Sequence, residues 1–197
     1  MTIQAHEDAA VEPGAQIGAG TSIWAHALVR DGARVGEDCV VARGVLIDRS
    51  VVVGNRCKLQ DGALLYRPAV LGDGVFVGPG AILTNDRHPR AVAPDGLQLG
   101  GDDWKPQPVR IGDGASIGAG ATIVAGVTIG AWAMIGAGSI VTDDVPEFAL
   151  VYGVPAVHHG WVGRSGRVLT EESGGRWRCP LTGERFVETD GHVHMAP

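Results

Sequence analysis

The chain has 197 residues, of which 31 are glycine; 45% are hydrophobic, 19% charged, and the formal net charge is −6. That length suits one substantial core with a small appendage; the aliphatic content excludes a disordered or collagen-like chain, and the absence of a basic cluster argues against a nucleic-acid partner. No run approaches the ~20 apolar residues of a membrane span and the start of the chain lacks a basic-then-apolar leader, so a soluble, cytoplasmic protein is expected.

From residue 11 an aliphatic side chain recurs every six positions, starting Val11, Ile17, Ile23, Val29 and holding register to Leu71, Val77 and Leu83. Four residues behind each lies a second row of small or β-branched residues, from Ala15, Thr21 and Ala27 to Val75 and Ala81. Both rows resume at Ile111 with Ala115 and run to Val141 with Val145, giving nineteen hexads. A period of six matches neither the 3.6 of a helix nor the alternation of an ordinary strand. It fits a short strand plus a corner, stacked so that each strand finds its backbone partners in the coils above and below. The larger aliphatic fills a narrow interior, the small residue sits where walls converge, and glycines such as Gly32, Gly74 and Gly114 suit the corners.

The repeat breaks between Leu83 and Ile111, where the stretch 89–108 is rich in Pro, Gly and Asp and cannot continue the coil. It carries Trp104 and Lys105, and a long loop inside a compact fold is usually functional, so a lid over a site is expected. Beyond Pro146 the repeat is lost; residues 147–197 are expected to cap the prism, with a short helical turn, and to end in a small strand-rich or irregular tail. Cys39, Cys57 and Cys179 stand far apart with no C-x-x-C pair, and are expected to be structural thiols.

Where the coil opens into the loop, polar residues cluster: Thr84, Asn85, Asp86, His88 and Arg90. Histidine can take a proton near neutral pH, and asparagine can hold an amine or polarise a carbonyl without titrating. Those are the needs of acyl transfer from a thioester.

The six-residue pattern over residues 11–146 resembles the hexapeptide-repeat family, which implies an all-β, left-handed parallel β-helix over residues 1–146 with an extruded loop and a carboxyl-terminal appendage, three hexads to each coil and so roughly six coils, about 30 Å of stacked strands. The run Thr84-Asn85 through Pro89-Arg90 resembles the signature of sugar-nucleotide 3-N-acetyltransferases. The likeness extends through Gln60, Tyr66, Gly78-Pro79, the late coils, Pro155-Ala156, Gly160-Trp161 and Cys179-Pro180 to Arg185. It implies an acetyl-CoA-dependent enzyme acetylating the amino group of a dTDP- or UDP-linked 3-amino sugar, the amine attacking the thioester directly. Asn85 then positions the acceptor, His88 accepts or orients its proton, and Thr84, Asp86, Arg90, Gln60 and Tyr66 are expected around the substrate. The resemblance implies acetyl-CoA along Gly118, Ala119, Gly136 and Ala137, whose small side chains leave backbone groups uncovered on one edge, and near Pro155. It further implies sites built between the subunits of a homotrimer.

The chain departs from that pattern at Ala25, Asp61-Gly62 and Val157, the last replacing an arginine suited to a phosphate. His88-Pro89 is also similar to hexapeptide O-acetyltransferases, in which the histidine is the general base for a sugar hydroxyl; a non-catalytic β-helix scaffold is a third reading. No histidine lies between Val29 and Leu83, so the three-histidine zinc site of a γ-class carbonic anhydrase is not expected, nor any metal. His26, His158, His159, His192 and His194 are expected on the solvated surface.

Overall fold

The computed structural model describes residues 3–101 and 103–196. Two-residue strands at every hexad stack into three parallel walls of a left-handed β-helix. The first wall begins at Gln4–Ala5 and rises through Ser22–Ile23 to Met134–Ile135; the second runs from Ala10–Val11 to Ile140–Val141; the third from Gln16–Ile17 to Thr128–Ile129. Register repeats every 18 residues, as in Gln4↔Ser22 and Val52↔Val70. The second residue of each strand points inward: Val29, Ile47, Leu59, Leu65, Leu83, Ile117 and Ile123 are all fully buried. The small row is buried with it, Ala63, Val75, Ala81 and Ala121 included.

The coil is longer than the aliphatic row indicates. Gln4–Ala5 pairs with Ser22–Ile23, and Leu150–Val151 pairs in parallel with Met134–Ile135, so the first wall holds eight parallel strands where roughly six coils are expected. The first strand was hidden because alanine occupies its inward position, and the last because its hexad follows the irregular Asp143-Asp144. The coil thus passes the expected boundary at residue 146.

Most corners place one residue in the left-handed region, immediately before the small-row position. Glycine serves at Gly32, Gly74 and Gly120, but His26, Asp38, Ser50, Arg56 and Trp132 adopt the same conformation at φ between 54° and 61°. A non-glycine residue there costs roughly 1–2 kcal/mol, which the ladders on either side outweigh.

The interior tolerates few polar groups, and each is bonded. Thr21 donates from Oγ1 to the Gly36 carbonyl at 2.8 Å and accepts the Cys39 amide at 3.0 Å. Above it Cys39 and Cys57 are stacked one coil apart and donate to the carbonyls of Gly54 (3.1 Å) and Gly72 (3.2 Å). The adjacent Cys39 sulfur, together with burial, pushes the Cys57 thiol up.

The cap is a β-hairpin and not a helical turn. Ala149–Gly153 folds back on Ala156–Trp161, because Gly153 at φ 108° and Pro155 make a tight reversal. The tail forms a four-stranded antiparallel sheet, Thr170–Ser173, Arg176–Arg178, Arg185–Thr189 and His192–Met195. Phe186 sits edge-on against Phe148 with centroids 5.2 Å apart, and so fastens this sheet to the top of the coil. Cys179 is buried beside it; burial pushes its thiol up, but hydrogen bonds from Ser165 and Thr182 outweigh that and bring it down to about 7.

Among the described residues no helix is long and apolar enough to cross a membrane.

Candidate active site

The coil opens at the corner between the second and third walls. Val70 pairs with Arg110, an offset of 40 in place of 18, so 22 residues are inserted without disturbing the ladder on either side. The neck is narrow: the chain departs at Asn85 and returns at Gln107, whose amide donates to the Asn85 carbonyl at 2.9 Å. Val109 is buried and restores the small row, a position the broken pattern concealed. Within the loop, Val92 and Gln98 form an antiparallel bridge around a turn at Gly96.

Asn85 is half-buried, and its Nδ2 donates to the carbonyl of Arg67, one coil below, at 2.8 Å. Its Oδ1 has no partner among the described residues and is available to accept a hydrogen bond. Asp86 accepts the His88 amide at 2.9 Å, which turns the chain so that His88 is exposed beside it. The His88 ring makes no hydrogen bond among the described residues. Arg87, which breaks the small row, donates to the carbonyls of Ala125 and Thr142, both at 3.3 Å, and holds the loop's root against later coils. A cavity of about 560 Å³ lies beneath the loop, lined by Asp86, His88, Arg90, Trp104 and Lys105 among others.

Of the acceptor residues expected from sequence, Asp86, His88 and Arg90 line this cavity, and Asn85 stands at the neck of the loop, outside the lining. Thr84 is occupied with the coil, donating to the Ile123 carbonyl at 3.0 Å. Tyr66 lies on the same corner one coil below, half-buried and outside the cavity lining. Gln60 follows Leu59 on the corner between the first and second walls, so a single chain does not bring it to Asn85.

Gly118, Ala119, Gly136 and Ala137 share that first corner with Gln60. Gly118, Gly136 and Ala137 line a mostly apolar groove of about 370 Å³ with Phe76, Ser116 and Met134 of the first wall; Ala119 and Pro155 do not. The glycines are required by stacking: a Cβ on Gly118 would lie 2.4 Å from the Ala137 nitrogen, and one on Gly136 2.5 Å from Tyr152 Cβ. Their own amides are used in the ladder, by Ile135 and Val151. The amides of Ala119 and Ala137 take no part in the ladder. Some corner amides are capped by a side chain one coil on, as Arg43 is by Asp61 and Asp73 by Asp113, while others, such as that of Asp61, are not. Among the described residues nothing caps Ala119 or Ala137, so this edge presents two unpaired donors. The groove ends at Tyr152, whose ring is stacked on His159 at 3.5 Å, while His158 packs against Trp161 at 4.5 Å. Both histidines are exposed as expected, but each carries an aromatic contact that sequence spacing did not reveal.

Arg67 was missed from sequence. Its signal is the 18- or 19-residue column Glu12, Arg30, Asp48, Arg67 of alternating charge on one corner, in which Arg30 bonds Asp48 at 3.0 Å.

Residues 108–143 match the bacterial transferase hexapeptide (six repeats) family, and residues 10–49 the hexapeptide repeat of succinyl-transferase. No curated protein matches the chain significantly. Among solved structures it is similar to the acetyltransferase domain of PglB from Neisseria gonorrhoeae FA1090, at 25% identity and a TM-score of 0.51 over 80% of this chain and 58% of that one. The same domain in complex with acetyl coenzyme A gives 25% and 0.50, covering 80% and 57%. LpxA, a UDP-N-acetylglucosamine acyltransferase from Bacteroides fragilis 9343, shares the fold at 20% identity and a TM-score of 0.65, covering 81% and 61%. The chain therefore spans less than two thirds of the length of these neighbours. The six-residue period, the three-walled coil and the two matched stretches together make this chain similar to the hexapeptide-repeat transferases.

Proposed function

We propose that the chain transfers acetyl from acetyl-CoA to the amino group of a nucleotide-linked 3-amino sugar, as a cytoplasmic homotrimer. One observation carries this reading: the corner with Asn85 and the His88 cavity, and the corner with the groove and the unpaired Ala119 and Ala137 amides, lie along the two opposite edges of the second wall. The outward face of that wall is an aliphatic column of Leu28, Leu46, Leu64 and Ile82, then Thr122 and Ile140, whereas the other walls are interrupted by Lys58, Arg34 and Arg110. In a cyclic assembly one edge of a subunit meets the opposite edge of its neighbour. Burying the column around a three-fold axis therefore sets the Asn85 corner of one copy beside the Gly118–Gly136 corner of the next.

In that arrangement the Ala119 and Ala137 amides suit the amide carbonyls of a pantetheine arm. Asn85 Oδ1, with Nδ2 already held by Arg67, accepts an N–H of the sugar amine and leaves the nitrogen lone pair free. The lone pair attacks the thioester carbon, the C–S bond breaks, CoA leaves as the thiolate, and the surplus amine proton passes to His88 or to the departing sulfur. Positioning supplies most of the acceleration, since a neutral amine is nucleophilic enough once oriented. The unanchored His88 ring favours this over O-transfer, in which a base must be held on the hydroxyl as it attacks.

The test is CoA thiol release from acetyl-CoA with a panel of dTDP- and UDP-amino sugars and matched hydroxyl sugars. Turnover confined to amino sugars supports the reading. Turnover on hydroxyl sugars alone supports O-transfer, and absence of thiol release with either supports a scaffold that only binds.

A further inference from the structure

Trp104 is half-buried in the inserted loop and lines its cavity, yet the residue over its ring comes from the coil. The Arg67 guanidinium carbon lies 5.8 Å from the ring centroid and does not border the cavity. Arg67 is held at both ends of its peptide unit: its amide donates to Asp48 Oδ2 at 3.3 Å and its carbonyl accepts Asn85 Nδ2 at 2.8 Å. Asp48 is buried and its other oxygen serves Arg30 and the Arg49 amide, so it does not draw the Arg67 side chain down. Among the described residues Arg67 forms no ion pair, and its charge is spent against the indole.

The remaining cavity wall has a matching character. His88, Arg90 and Lys105 bring donors to it. The two carboxylates are engaged with the loop's own backbone, Asp86 with the His88 amide and Asp103 with the Gly100 amide at 2.6 Å. An indole backed by a cation, with cationic side chains at its rim, suits a planar, electron-rich heterocycle carrying phosphates; a bare sugar would call for neutral donors and acceptors.

We propose that Trp104 is the stacking platform for the base of the acceptor's nucleotide, that Arg67 is the positioning residue that fixes its ring, and that Arg90 and Lys105 receive the diphosphate. The inference rests on the nucleotide-linked acceptor proposed above and assigns where its base and phosphates bind.

The probes are UDP, dTDP, GDP and ADP without any sugar, titrated into the full chain by calorimetry and by tryptophan fluorescence. At least one is expected to bind and to quench a signal that is absent in Trp104→Phe. Trp104→Ala weakens that binding about tenfold or more, the scale of one base–aromatic stack. Trp104→Phe keeps it within about threefold, and Arg67→Met falls between. In turnover the acceptor KM rises in Trp104→Ala with kcat nearly constant, and acetyl-CoA affinity is the same in every variant, as is the melting temperature. Binding that is equal in wild type and Trp104→Ala overturns the proposal, and so does a panel in which no nucleotide binds. Acetylation of free amino sugars with no nucleotide effect would overturn this inference and leave the transferase standing. Nucleotide binding at Trp104 without acetyl transfer to any amine would do the reverse.

Discussion

The side-chain amide of Asn85 is bonded to the backbone carbonyl of Arg67 at 2.8 Å, across one turn of the coil. The residue that begins the inserted loop is therefore oriented by the scaffold and not by the loop. Asn85→Ala is expected to lower kcat about a hundredfold while acetyl-CoA KM changes little, because the loss is of acceptor orientation. Asn85→Asp should do no better, since a carboxylate cannot donate to that carbonyl. Steady-state kinetics with each substrate varied in turn decides the matter.

His88 has no partner to hold its ring, so its removal should be mild. A general base is worth ~10²–10⁴-fold where the nucleophile must lose its proton in the transition state. His88→Ala is expected to slow amine acetylation by less than about tenfold and to eliminate any hydroxyl acetylation. Complete loss of amine acetylation with acetyl-CoA binding retained would assign His88 an obligatory role.

The second wall supplies a test independent of chemistry. Leu64→Asp or Ile82→Asp places a carboxylate in the middle of the aliphatic column, where association would bury it unpaired. Light scattering is expected to show a trimer for the wild type and monomer for the variants, with turnover lost although circular dichroism is unchanged.

Glycines of two kinds should respond differently. Gly120 has φ +65° and open space around it, so Gly120→Ala costs about 1–2 kcal/mol through backbone conformation alone. Gly118 has ordinary φ, but its new Cβ would meet the Ala137 backbone at 2.4 Å. Gly118→Ala is expected to destabilise by more and to weaken acetyl-CoA binding, since it displaces an unpaired amide. Chemical denaturation and calorimetry separate the two effects.

The tail carries its own acid sensitivity. Hydrogen bonds from Arg164 and Thr182 hold the Glu184 carboxyl below the usual carboxylate range. A carboxylate with a depressed folded pKa contributes stability above its unfolded value, ~4.3, and loses it as pH falls through the folded value. Hydrogen exchange is expected to show the terminal sheet loosening ahead of the coil as pH drops below ~4.3, and Arg164→Gln should lessen that dependence.

The coil was legible because its interior admits one residue type at one spacing, which Ile17 through Leu83 state without a gap. Legibility failed where geometry is satisfied by an unremarkable residue: Ala5 in the first strand, or Val109 re-entering beyond the loop. The hairpin at Tyr152 was unreadable because it arises from antiparallel pairing after the hexad rule ends. Asp86, His88 and Arg90 fall together on one cavity because sequence neighbours on a tight turn remain spatial neighbours. Arg67 and Gln60 show the limit. The first reaches Asn85 through its carbonyl, which no side-chain identity advertises, and the second is separated from it by a full wall.

The inserted segment leaves and re-enters the coil at a neck closed by the Gln107 amide on the Asn85 carbonyl, is braced on later coils by Arg87, and the strands flanking it pair as though it were absent. The inserted segment and the architecture are thus separable in this chain. A relative could exchange everything between those two residues and keep the same spine, so that new acceptors are reached by grafting a segment instead of by rebuilding a core.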